Sequence, residues 1–252
     1  EKGGKIIIPA FAMGRTQEIL FILKDLIKDG KIKPMPIFVD SPLANQATGV
    51  FSIHPECFDK QLEDLINDGI DPFYEGNGVH FTQSVEESKS LRDFPGAAII
   101  ISASGMCEFG RIRHHLSNTI QDAKNTVLIV GYQAQNTLGR KLVDGETSVN
   151  IFGDPHVVRA EVVIYNAFSG HADQRELLEF AAKVGSPKST FLVHGEIDSQ
   201  EVFAEKLVEL DNLKDSEVFI PRPGEIYELQ VDKTWKRSAK QNMECEGIVC
   251  KI

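Results

Sequence analysis

Two strand-like apolar runs in this 252-residue chain stop at a histidine. Val162-Val163-Ile164 leads into Ala167-Phe168-Ser169-Gly170-His171-Ala172-Asp173, and Thr190-Phe191-Leu192-Val193 leads into His194-Gly195-Glu196. A strand ending at a Gly-flanked His presents the imidazole at the mouth of a sheet, where small neighbours let a ligand approach the backbone. Imidazole in that place supports two chemistries: ligation of a metal through a neutral ring nitrogen, and proton transfer near neutral pH. Two such turns separated by one helical pattern point to one shared site.

Other segments have the composition of anion-binding turns. Ser102-Ala103-Ser104-Gly105-Met106 follows a strand pattern and precedes a helical one, so Ser104 and Gly105 are placed to offer backbone N–H groups to phosphate. Asn136-Thr137-Leu138-Gly139-Arg140 is similar, with Arg140 able to grip phosphate through two N–H groups. Ser169 and the N–H groups around Gly170 suit a phosphate oxygen. Arg15 follows Met13-Gly14 and is either a further phosphate contact or half of a structural ion pair. Asp173 either tunes His171 or caps the helix behind it. Glu196 either orients a neighbouring group or is a surface residue. Asp40 ends a strand beside Ser41-Pro42 and is assigned no catalytic role.

Taken together these residues resemble the β-CASP branch of the metallo-β-lactamase superfamily, a branch of nucleic-acid nucleases. Ser169-Gly170-His171-Ala172-Asp173 and Leu192-Val193-His194-Gly195-Glu196 match two of its segments. So do Ile8-Pro9-Ala10-Phe11-Ala12-Met13-Gly14-Arg15-Thr16-Gln17-Glu18, the run from Ser102 to Leu116, and Gly131-Tyr132-Gln133 through Arg140. The resemblance implies that His171 works on the scissile phosphate and that His194 is a zinc ligand. It implies contacts from Ser104, Gly105, Arg140, Ser169, Gly170 and Arg15 to the backbone of single-stranded RNA, with Asp173 and Glu196 behind them. RNA is favoured over DNA because His, rather than an apolar residue, stands at position 194. The superfamily's H-x-H-x-D-H motif is absent from the seven histidines, and no initiator Met precedes Glu1. The chain therefore reads as the C-terminal part of a longer, two-zinc RNA nuclease, inactive by itself and holding little or no zinc. A homodimer is compatible with the resemblance. The alternative is a scaffold or RNA-binding subunit that keeps the fold without catalysis. A thiol enzyme built on Cys107 and His114 is a remote rival, since a helix start lowers a thiol pKa.

Composition sets bounds on these readings. At 42% hydrophobic residues the chain can bury a sizeable core. Mean hydropathy is −0.16, and no apolar run approaches the roughly 18 residues that span a bilayer. Cys57, Cys107, Cys245 and Cys250 are scattered, which suits a reduced cytoplasmic setting. A net charge of −10 argues against a broad nucleic-acid-binding surface but does not exclude a narrow basic channel.

Positioning these residues requires alternating strands and helices. Strand patterns cover Lys5–Pro9, Pro36–Val39, Ala97–Ser102 and Thr126–Gly131, with helices predicted at Leu43–Ile53, Glu56–Asn67, after Ser84, and at Gly110–Ile120. After Arg140 come extended segments Ser148–Phe152 and Arg159–Tyr165 around a turn at Gly153-Asp154-Pro155. Helix Gln174–Val184, strand Ser189–Val193, helix Gln200–Leu210 and strands at Glu217–Ile220 and Ile226–Val231 follow. The fold class is α/β, a mainly parallel sheet flanked by helices. By resemblance, residues 1–150 form a β-CASP domain and 160–231 the C-terminal part of a metallo-β-lactamase αββα domain, with a tail at 232–252.

Overall fold

The computed structural model describes residues 2–74, 78–168, 170–230 and 234–238. The chain divides into two compact units, Glu1–Ser169 and Gly170–Ile252.

The first unit contains β1 (Lys5–Pro9), α1 (Arg15–Lys28), β2 (Ile37–Val39), α2 (Pro42–Ser52), α3 (Lys60–Asn67), β3 (Val79–Phe81), α4 (Val85–Ser90), β4 (Ala98–Ser102), α5 (Ile112–Thr119), β5 (Thr126–Ile129), α6 (Leu138–Val143), β6 (Ser148–Ile151), β7 (Asp154–Val157) and β8 (Glu161–Ile164). Six strands form one sheet in the order β3-β2-β4-β1-β5-β8, with every neighbouring pair parallel. Strands covered on both faces are apolar throughout rather than alternating, as Ile6-Ile7-Ile8 and Ile99-Ile100-Ile101 are. The pleat still sorts them. Ile7 and Ile100 face one core with Ile112 and Leu116 of α5, Ile120 just beyond it, and Leu138 and Leu142 of α6. Ile8, Ile99 and Ile101 face the other with Ile19 and Leu20 of α1 and Ala44 of α2. The chain thus leaves β1 for one face and adjacent β4 for the opposite face. In an open parallel sheet this divergence opens a crevice at the carboxyl ends of the two strands, where ligands bind.

Local chemistry sets the helix starts. Ser41, Asp59, Ser84 and Thr137 each accept a backbone N–H from the first turn of α2, α3, α4 and α6. The Asp59 cap explains why the predicted helix Glu56–Asn67 is broken into a 3₁₀ turn at Pro55–Cys57 and the shorter α3. The predicted turn at Gly153-Asp154-Pro155 lies earlier: Phe152 (φ 59°) and Gly153 (φ 95°) make it, and Asp154 and Pro155 belong to β7, paired antiparallel with β6. Two positive φ values match the twist of a tight hairpin, and Pro is tolerated in this two-stranded ribbon.

The second unit contains α7 (Gln174–Lys183), β9 (Ser189–Phe191), α8 (Ile197–Val208), β10 (Glu217–Phe219), β11 (Ile226–Leu229) and β12 (Trp235–Ser238). β9 pairs with β10 in parallel and β11 with β12 antiparallel, so part of the predicted tail is a strand. Phe191 organises this unit: its ring stacks on Phe219 at 4.9 Å and meets the Trp235 ring edge-on at 4.8 Å. Ser169, Cys245 and Cys250 lie outside the described residues. Among the described residues no helix is long and apolar enough to cross a membrane.

Candidate functional site

Both histidines singled out in the sequence belong to the second unit and both are exposed. His171 lies at the turn that precedes α7. Asp173 caps that helix: its Oδ1 accepts the Glu176 N–H at 2.8 Å, and Glu176 Oε2 accepts the Asp173 N–H at 2.9 Å. The carboxylate thereby fixes the helix start two residues beyond His171. His194 stands between β9 and α8 with φ 70°, followed by Gly195 at φ 100°. Left-handed backbone at a non-glycine residue marks a turn whose surroundings hold it. The holder is Gln200, a buried residue on α8. Its Nε2 donates to the Leu192 carbonyl at 2.9 Å and to the His194 carbonyl at 3.2 Å. α8 starts at Ile197, three residues before its predicted start, and Glu196 is its half-buried N-cap residue without a side-chain cap. Neither Gln200 nor this earlier start was singled out from sequence. A Gln spaced one helical turn beyond Glu196 is the signal that was available.

The candidate phosphate loops lie in the first unit, at the carboxyl ends of β4 and β5, and they are tied together. Gly139 N–H donates to the Met106 carbonyl at 3.2 Å, Leu138 N–H to Glu108 Oε1 at 2.5 Å, and Gln133 Nε2 to the Gly105 carbonyl at 2.9 Å. Ser104 Oγ accepts from Glu108 and Phe109 N–H groups at 3.1 and 3.2 Å. Gly105 is packed so closely on Phe11 that an added Cβ would lie 3.2 Å from its backbone nitrogen. The N–H groups opening α6 are therefore satisfied within the protein by Glu108, Met106 and Thr137. Arg140 Nε bonds both carboxylate oxygens of Asp144 at 2.9 and 3.0 Å. Arg15 pairs with Glu18 at 2.6 Å, and its guanidinium lies 5.3 Å from the centre of the Phe168 ring.

This knot makes Gly139 irreplaceable in a specific way. A Cβ at 139 would fall 1.7 Å from Gln133 Oε1, and Gln133 is buried and anchored by its amide nitrogen. Gly139→Ala is expected to lower stability by about 1–3 kcal/mol, overriding the helix-propensity gain of roughly 1 kcal/mol. Denaturant titration checks this. An unchanged or raised midpoint would mean that Gln133 yields freely, and the double substitution with Gln133→Ala should recover most of the loss.

Beside these loops lies a buried network missed in the sequence. Asp40, at the end of β2, is fully buried. Its Oδ1 accepts from Arg111 Nη1 at 2.7 Å and from Thr82 Oγ1, and its Oδ2 from His115 Nε2 at 2.5 Å and Ser88 Oγ at 2.6 Å. Burial alone would raise the carboxyl pKa, but the hydrogen bonds from His115, Ser88 and Thr82 overcome it and hold the group below the ordinary carboxylate range. Arg111 and His115 are one helical turn apart, which was the available signal.

The thiol-enzyme reading fails. Cys107 is fully buried, and burial followed by the neighbouring Glu108 charge pushes its thiol up to about 12, so it stays protonated at neutral pH. His114 instead packs against the Phe152 ring at 4.6 Å.

Among the described residues no three His, Cys, Asp or Glu side chains converge on a point that a metal ion would occupy. His194 with its neighbours does not by itself fit a tetrahedral zinc centre.

Comparison with known proteins places the chain. Residues 16–142, half of its length, match the Beta-Casp domain family, and residues 155–221 match a Zn-dependent metallo-hydrolase RNA specificity domain. Ribonuclease TTHA0252 of Thermus thermophilus is 35% identical over 89% of this chain and 50% of its own length. An RNase J-like protein of Methanocaldococcus jannaschii is 35% identical over 78% of this chain and 44% of its own length. Transcription termination factor FttA of Pyrococcus abyssi is 34% identical over 78% and 31%. The chain spans half or less of the length of these curated relatives. Both matched domains and the relatives agree: the chain belongs to the β-CASP family of the metallo-β-lactamase superfamily.

Proposed function

We propose that this chain is the β-CASP and distal histidine-bearing portion of a Zn-dependent ribonuclease that hydrolyses phosphodiester bonds in single-stranded RNA. One observation carries the reading: His171 and His194 are both exposed at helix-opening turns inside the segment that matches a Zn-dependent metallo-hydrolase RNA specificity domain. Phosphodiester hydrolysis needs a proton at the departing oxygen, and His171 is the imidazole assigned to supply it. His194 is assigned as one metal ligand, presented by the turn that Gln200 holds. Residues 1–150 and 160–231 are the corresponding domains, and Ser104, Gly105, Arg140, Arg15, Ser169 and Gly170 the substrate contacts. In a polypeptide of the relatives' length two zinc ions are proposed, and in this chain alone little or none. Cys57 and Cys107 are free thiols, consistent with a reducing cytoplasm.

The test is metal analysis and RNA cleavage on both the 252-residue chain and the longer polypeptide containing it. The chain alone is expected to hold less than one zinc equivalent and leave RNA intact. The longer form is expected to cleave, to stop on chelation, and to recover with zinc. A zinc-loaded long form that binds RNA without cutting it would establish the scaffold alternative. Tightly held stoichiometric zinc in the short chain would overturn the single-ligand assignment.

A further inference from the structure

The carboxyl edge of the six-stranded sheet carries an aromatic ring beyond each of four adjacent strands. Phe109 follows β4, Phe11 follows β1, Tyr132 follows β5 and Tyr165 follows β8, in the spatial order of those strands. They are exposed to 76%, 53%, 60% and 53% of their surface. Single exposed apolar residues need no explanation, but four exposed large rings borne on the loops that leave one end of four adjacent strands do. The loops beneath hold them in place. Phe11 packs on Gly105, the Phe109 carbonyl accepts the Ser104 N–H at 3.0 Å, and Tyr165 meets Phe168 edge-on at 5.4 Å. Phe11 and Phe109 flank the point where the connections from β1 and β4 diverge to opposite faces, the place in an open parallel sheet where ligands bind.

We propose that this row is a stacking platform for successive unpaired bases of single-stranded RNA. The inference rests on the ribonuclease reading for the identity of the strand but assigns a different source of affinity. Charge is poorly suited to the task here. The chain carries −10, Arg111 is bound to Asp40, Arg15 to Glu18, and Arg140 through Nε to Asp144. Arg15 and Arg140 reach phosphate only by exchanging these carboxylate partners, so stacking supplies affinity beyond the phosphate contacts proposed for them. Ring faces act on any base, need no counterion release and tolerate sequence variation. Two of the matched regions share the row: Phe109 and Tyr132 lie in the Beta-Casp match, and Tyr165 in the RNA specificity match.

The experiment uses the 252-residue chain and fluorescein-labelled single-stranded oligoadenylate, with an abasic ribose-phosphate oligomer of equal length as the control. Variants are Phe109→Leu, Tyr132→Leu and the pair, which keep apolar bulk and remove the π-face. Oligoadenylate is expected to bind with a shallow salt dependence, well below the slope of roughly −0.7 per neutralised phosphate in log K against log salt. Each Leu substitution is expected to weaken binding roughly 5- to 100-fold, and the abasic oligomer to bind far more weakly than oligoadenylate. Equal affinity for the two oligomers, wild-type affinity in the double variant, or no RNA binding would each overturn the proposal. So would sedimentation showing that the rings mediate self-association with RNA affinity unchanged. No readout involves cleavage, so failure of stacking leaves the hydrolase reading standing. A base-stacking chain whose long form does not cleave would remove the hydrolase reading and keep the platform.

Discussion

His171→Ala, introduced into a polypeptide of the relatives' length, is expected to slow RNA hydrolysis by roughly 10²–10⁴-fold, the range for a lost general acid or base, with zinc content unchanged. His194→Asn is expected to lower zinc content and activity together. Asn is chosen at 194 because the backbone there is left-handed, with φ 70°. Alanine would add a conformational cost of about 1–2 kcal/mol to the loss of the imidazole, whereas Asn visits that region routinely. Position 171 has no such constraint, since its neighbouring helix start is secured by the Asp173–Glu176 pair. The two substitutions therefore separate chemistry from ligation with little interference from folding. Zinc analysis beside single-turnover cleavage reads both. If the position 171 variant lost its metal and the position 194 variant kept it, the roles would have to be exchanged.

The difference between local and distant chemistry explains how much of this was readable from residues alone. Lys5–Pro9 is recognisable because a strand covered on both faces has no choice but to be apolar, and alternation of such runs with helical spacing implies a parallel sheet. Val79–Phe81 escaped because three residues, one of them His80, carry no period. The hairpin turn was misplaced because Gly153-Asp154-Pro155 has turn composition, while the structure makes the turn from Phe152 and Gly153, a bulky residue with positive φ. The histidines could be singled out because each follows a strand pattern, a feature of neighbouring sequence. The loops show the limit. Glycine, serine and arginine near a helix start read as an anion cradle, yet here Glu108 and Met106 fill the N–H groups of α6, and Asp144 engages Arg140. Those partners from the β4 loop stand about one strand–helix unit away in sequence. Nothing in local spacing reports them.

Asp40 is the extreme of that rule, since its four partner side chains come from the end of β3, from α4 and from the start of α5, and its removal is expected to be the most damaging single change in the first unit. Asp40→Ala leaves the Arg111 guanidinium, His115 and two hydroxyl groups without their acceptor in a site where the carboxylate is fully buried. Removing one partner of a buried ionic cluster costs about 3–5 kcal/mol, against a total of roughly 5–15 kcal/mol for a typical domain. The denaturant midpoint should fall steeply with its slope unchanged. Asp40→Asn keeps the shape and one acceptor but loses the charge, so it should fall between. The acid dependence has a definite sign. The folded carboxyl is held below its ordinary value, so its contribution is fully present above the unfolded pKa of about 3.9 and is lost as pH falls through the lower folded value. The stability gap between the native chain and Asp40→Asn should therefore begin to close only below about pH 4. Non-additivity gives the sharper check. Asp40→Asn combined with His115→Gln should cost clearly less than the sum of the two single losses, because each single change already breaks the same cluster. Additive losses, or an Asp40→Ala penalty under about 1 kcal/mol, would show the cluster to be no more than a surface-like ion pair drawn inside the fold.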